Sequence, residues 1–123
     1  MSACVDHIII AVSELEAATR DYARMLGRDP SWRGRHPDYG SANALFVLDN
    51  TYIELLAPQG EGMAADIVNS ILEKKGDCLG GLVFGTEDAN DFIAQARAQD
   101  LEASDPLPGH GVDEQTGAER RWQ

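Results

Sequence analysis

His7 and Glu54 are the two side chains of this 123-residue chain whose type and setting best suit chemistry. His7 lies in Val5-Asp6-His7-Ile8-Ile9-Ile10-Ala11-Val12, a short apolar run that reads as a strand. Glu54 lies on a later strand, on one face with Tyr52 and Leu56. A carboxylate there is costly to bury without a partner, so it acts as a metal ligand or general base, or else turns to solvent on the outside of the sheet. His7 has the same two readings, a metal ligand or a histidine satisfied by backbone or water.

Other side chains are weaker candidates. Arg33 and His36 sit in Trp32-Arg33-Gly34-Arg35-His36-Pro37. Arg33 and Arg35 can grip an anionic substrate through bidentate bonds, or simply be solvated on an edge strand. His36 is a candidate substrate contact at a cavity mouth, Tyr52 a candidate cavity-lining aromatic, and His110 a distant candidate for a third ligand. Cys4 and Cys78 are expected to be reduced, buried thiols, since two cysteines make neither a disulfide framework nor a zinc knuckle.

The elements that must position these groups follow from hydrophobic period and turn residues. After the first strand, residues 4–12, Ser13 and Glu16 form a capping box, and Leu15, Ala18, Tyr22, Met25 and Leu26 make a buried helical stripe that Gly27 ends. Residues 28–41 read as a short edge strand followed by a loop. Two further strands, Ala44–Leu48 and Thr51–Leu56, are joined at Asp49-Asn50, a turn that sets Leu45 opposite Glu54. Residues 63–75 read as a helix with Ile67, Val68, Ile71 and Leu72 on its apolar face. The opening pattern then returns: a strand over Leu79–Gly85, a cap at Thr86, and a helix with the stripe Ala89, Phe92, Ile93 and Ala96. The repeat is about 73 or 74 residues long. In its second copy residues 102–117 read as loop, and only Ala118 to Gln123 suits another strand.

A net charge of −11 with no basic stripe excludes nucleic acid and anionic membrane surfaces as default partners. No apolar run reaches the roughly 18 residues of a membrane-spanning helix, and no secretory leader is visible at the start, so a cytoplasmic location is expected.

A β-α-β-β-β unit with histidine on its first strand and glutamate on its fourth resembles the vicinal oxygen chelate superfamily, which includes glyoxalases, bleomycin-resistance proteins, extradiol dioxygenases and epimerases. The stretches carrying the resemblance are Val5–Val12 running into Ser13-Glu14-Leu15-Glu16-Ala17-Ala18, and Asn50-Thr51-Tyr52-Ile53-Glu54-Leu55-Leu56-Ala57-Pro58, with Trp32–Pro37 similar to the glyoxalase-like branch. It covers about residues 4–100.

The resemblance implies an α+β fold: a first β-α-β-β-β module over residues 1–60, a linker helix over 61–76, and a truncated second β-α-β module over 77–123. It implies that His7 and Glu54 are metal ligands; Glu54 is expected to handle a proton, and Tyr52, Arg33 and His36, on the residue-level reading above, to meet substrate. The cofactor would be a divalent ion (Fe, Mn, Ni or Zn). The repeat places Gly80 or Gly81 where the family's second-module histidine would stand, so two ligands remain where a catalytic metal typically has three.

Three readings stay open: a metal-dependent lyase, isomerase or dioxygenase acting on vicinal oxygens, a metal-free small-molecule binding protein, and a non-catalytic homologue. A homodimer or strand-exchanged oligomer is expected, with its partner completing a barrel.

Overall fold

Alternation in the first strand sends Ile8, Ile10 and Val12 to one side and His7, Ile9 and Ala11 to the other, and the whole architecture hangs on that division. The structure is a computed structural model describing residues 3–122; positions 1, 2 and 123 of the expected module bounds lie outside the described residues. The elements run β1 (Ala3–Ala11), α1 (Leu15–Leu26), β2 (Trp32–His36), β3 (Ser41–Val47), β4 (Tyr52–Pro58), α2 (Met63–Lys75), β5 (Cys78–Thr86), α3 (Ala89–Ala98), β6 (Gly109–Asp113) and β7 (Glu119–Trp122). Among the described residues the strands form one sheet in the order β5-β1-β4-β3-β2-β6-β7. The β1–β4 pair is parallel and the others are antiparallel.

One face of the sheet packs on α1. Val12, Ala44, Phe46, Leu55 and Ala57 are buried there, and Leu15, Ala18, Tyr22, Ala23 and Leu26 of the helix cover them. Burial of these side chains out of water is the main force holding the layers together. The same alternation turns Tyr52, Glu54 and Leu56 of β4, and Ser41, Asn43 and Leu45 of β3, to the other face. That second face is the cavity face.

The fold class agrees with the sequence expectation, and several local expectations are corrected. Glu14, not Ser13, occupies the N-cap of α1 and makes no side-chain cap bond. Ser13 instead donates from its N–H and its hydroxyl to Asp77 Oδ1, at 2.9 and 3.0 Å. Met25 is exposed, and the buried position on α1 belongs to Thr19, whose hydroxyl donates to the Leu15 carbonyl. The second repeat helix is capped by Asp88 rather than Thr86. On α2, Val68 is buried with Ala65, whereas Ile67 is exposed at the cavity.

β2 is not an edge strand, because β6 pairs with its outer side. β6 itself falls in the stretch expected to be loop, so the second unit runs one strand longer than β-α-β. Its residues Gly109, Gly111 and Asp113 carry little strand signal; pairing with β2 makes the strand. The expected turn at Asp49-Asn50 does set Leu45 opposite Glu54. Cys4 is exposed rather than buried, and it lies at the far end of the β1–β5 pair from Cys78. No described helix is long and apolar enough to cross a membrane.

Candidate functional site

Four neighbouring strands bring a chain of polar side chains onto the cavity face. Asp6 Oδ2 lies 2.8 Å from His7 Nδ1, and His7 Nε2 lies 3.2 Å from Glu54 Oε1. The Asn43 amide donates to Glu54 Oε2 at 2.7 Å and lies 3.3 Å from His36 Nε2. His36 Nδ1 closes the series 2.8 Å from Ser41 Oγ. The strand register is the reason: parallel pairing puts His7 beside Tyr52 and Ile9 beside Glu54, while hairpin pairing puts Asn43 beside Leu56 and His36 beside Ser41. The His7 ring also stacks on Tyr52, with centroids 4.3 Å apart.

Most of this network is withdrawn from water. The His7 and Glu54 side chains are each 12% exposed; His36, Ser41 and Asn43 are buried. Burial alone would push the Glu54 carboxyl up and hold it neutral, but bonds from His7 and Asn43, with the charges of His36 and His7, bring it below its usual range. Burial also works against charge on His7, and here the hydrogen bonds and charges of Glu54 and Asp6 prevail, so its pKa is raised. His36 is lowered, chiefly by burial. Burial pushes Tyr52 up to about 12, with Asp6 and Glu54 adding to it.

Glu54 and His36 face a cavity of about 260 Å³, together with Ser41, Leu56, Ile67 and Trp122. Trp122 meets the His36 ring edge-on at 5.5 Å. It lies over Gly109, where a Cβ would come within 2.1 Å of the indole, so that wall requires glycine beneath it.

The predicted site residues thus divide. His7, Glu54 and His36 come together, and Tyr52 supports His7. Arg33 lies on the opposite face of β2 from His36, held by Glu16 and Glu114. His110 alternates with the cavity-facing Gly109 and Gly111, and its ring lies 3.6 Å from both Asp38 and Glu119, so it is no third ligand. In the middle of the β1–β5 pair His7 lies beside Val83 and Ile9 beside Gly81, a register that makes Gly81 the repeat counterpart of His7. Asn43 and Trp122 escaped the sequence reading. An asparagine amid the apolar run of β3 was the one available signal for the first; Trp122 gave none.

His7 and Glu54 fit one half of a metal centre. Their donor atoms are of the right kind and converge, and Asp6 on Nδ1 is the outer partner that directs Nε2, here bonded to Glu54, toward the place an ion would take between the two. Among the described residues no group of three histidine, cysteine or acidic side chains gathers at metal-binding distance.

A family model described as the glyoxalase-like domain matches residues 5–123. An ethylmalonyl-CoA/methylmalonyl-CoA epimerase from Cereibacter sphaeroides is 36% identical over 114 residues, covering 87% of this chain and 81% of the relative. Among solved structures, a variant of Streptomyces coelicolor methylmalonyl-CoA epimerase in complex with 2-nitronate-propionyl-CoA superposes with a TM-score of 0.75 at 22% identity, covering 90% of this chain and 84% of that one. A hypothetical protein from Bacillus halodurans superposes at 0.76 with 21% identity, covering 92% and 83%. The chain belongs to the glyoxalase-like domain family, within the vicinal oxygen chelate superfamily.

Proposed function

We propose that this family member is an isomerase that moves a proton at the carbon next to a carbonyl of a small acyl substrate, with Glu54 as the base. The observation that carries this is a largely buried carboxylate held ionised at the edge of a 260 Å³ cavity. Only the ionised form accepts a proton, and the bonds from His7 and Asn43 hold Glu54 in that form. His7 and Asn43 each hold one oxygen of the carboxylate and so fix its direction. His36 meets the substrate from the cavity wall, and Tyr52 holds the His7 ring by stacking.

His7 and Glu54 are also the residues that would hold a divalent ion, which when bound supplies Lewis-acid polarisation of the substrate oxygens. Protein purified untagged and without chelator is expected to carry near-stoichiometric metal by elemental analysis, lost in both His7→Ala and Glu54→Ala. Metal-free protein after soaking in Mn, Fe, Ni and Zn would remove the ion from the proposal.

The epimerase relatives point to methylmalonyl-CoA as the first substrate to try. In D2O the wild type is expected to introduce one deuterium at the carbon between the two carbonyls, read by mass spectrometry. Glu54→Gln should slow this by roughly 10²–10⁴-fold while remaining folded. No exchange above the uncatalysed rate would sink the isomerase reading. The second reading is a metal-free binding protein, favoured by both Glu54 oxygens already having protein partners; binding without exchange would select it.

A homodimer is part of the same proposal. Leu79, Leu82 and Phe84 on edge strand β5 are each more than half exposed, a surface that a second copy would cover. Light scattering after size exclusion is expected to give a dimer mass; a monomer overturns it.

A further inference from the structure

We infer that Arg120 is the anchor for a carboxylate on the substrate, so that the cavity selects small acids over neutral acyl compounds; this rests on the cavity being the substrate site proposed above. Arg120 stands beside Gly111 in the β6–β7 pair and shares its face with Trp122, two residues on, which packs against His36. Its strand therefore turns it to the cavity face. Strand alternation sends Arg33, Arg35 and Arg121 to the other side, so Arg120 is the permanent cation that the described strands place there.

Its setting leaves the charge unused. The guanidinium carbon lies 5.1 Å from the centre of the Trp32 ring. Among the described residues it has no carboxylate within ion-pairing distance and no side-chain hydrogen bond, whereas Arg33, Arg97 and Arg121 all have both. Its positive charge works against protonation of His36 and against the rise at Tyr52, which places it within electrostatic reach of both. A guanidinium resting on an aromatic face offers that face to the ring and keeps its N–H edge free for an incoming carboxylate.

An acidic chain with Glu54 in its site repels an anionic substrate unless a cation compensates nearby. Asn43 Oδ1, buried and without a partner, adds an acceptor for a hydroxyl or N–H in the same network. A carboxylate on Arg120 would leave the substrate's other end free to approach Glu54.

The test is calorimetric titration of the whole chain with malonate, with malonamide as its neutral counterpart, and with inorganic phosphate. Malonate is expected to bind, malonamide not to, and phosphate to compete poorly. Arg120→Gln should weaken malonate by about 10-fold or more, and Arg120→Lys by less, since the charge survives but the planar fork does not. Trp32→Leu, which removes the platform and keeps the cation, should weaken it several-fold. If Arg120→Gln fails to fold, the lysine and Trp32 variants carry the test.

Absence of malonate binding, equal affinity in the variants, equal binding of malonamide, or preference for phosphate would each overturn the assignment. Arg120-dependent malonate binding without deuterium exchange would keep the anion site and remove the isomerase reading. Exchange whose substrate affinity ignores Arg120 would do the reverse.

Discussion

Glu54 and His7 hold each other in their charged forms, and this sets a pH window for the metal-free protein. His7 has a folded pKa above its ordinary 6.5. Its contribution is fully present below the unfolded value and is lost as pH rises through the folded one. Glu54 has a folded pKa below its ordinary 4.5, so its contribution is present above that value and lost as pH falls through the folded one. In chelated protein the urea midpoint should therefore be highest between these limits and decline above about pH 6.5. His7→Gln should flatten that alkaline decline; an unchanged decline would refute the pairing. His7 and Glu54 were legible because each is a polar group at an interior phase of an apolar alternation. Arg120 was not, because the cavity-facing phase of β7 is defined only by its pairing with β6.

At the scale of elements, the chain enters α1 through a long-range bond rather than a local one. Ser13 and Glu16 have the spacing of a capping box, yet Ser13 spends its hydroxyl and N–H on Asp77, at the mouth of β5. Local pattern cannot foresee this, since an acceptor 64 residues away competes with one three residues away. The bond ties the start of the first repeat helix to the start of the second repeat strand. Asp77→Ala should destabilise the protein by about 1 kcal/mol, measured by urea unfolding, because two hydrogen bonds to an exposed carboxylate are lost. A change near zero would show that water replaces Asp77 freely. β3, β4 and β5 were legible from apolar period and turn residues, whereas β2 was legible only as a short strand somewhere within residues 28–41. β6 was invisible for the opposite reason: its cavity-facing residues are the small Gly109 and Gly111 that let Trp122 lie flat.

The repeat and the fold class were legible at the scale of the whole molecule, because the strand–helix–loop succession is written twice. The closure of the second unit onto β2 was not, since nothing in residues 102–117 announces a pairing partner. β1 lies between β4 and β5, bonded to one in parallel and to the other antiparallel. During synthesis β1 is thus without either neighbour until residues 52–58 and then 78–86 have followed it. Such distant pairings make folding slow, since loop closure must precede the contacts that reward it. Until then Ile8, Ile9 and Ile10 stand as a short apolar strand with both edges bare, a segment prone to aggregate during synthesis. His7 meets Glu54 only when that strand slides home, so the same insertion ends the vulnerable interval and assembles the site.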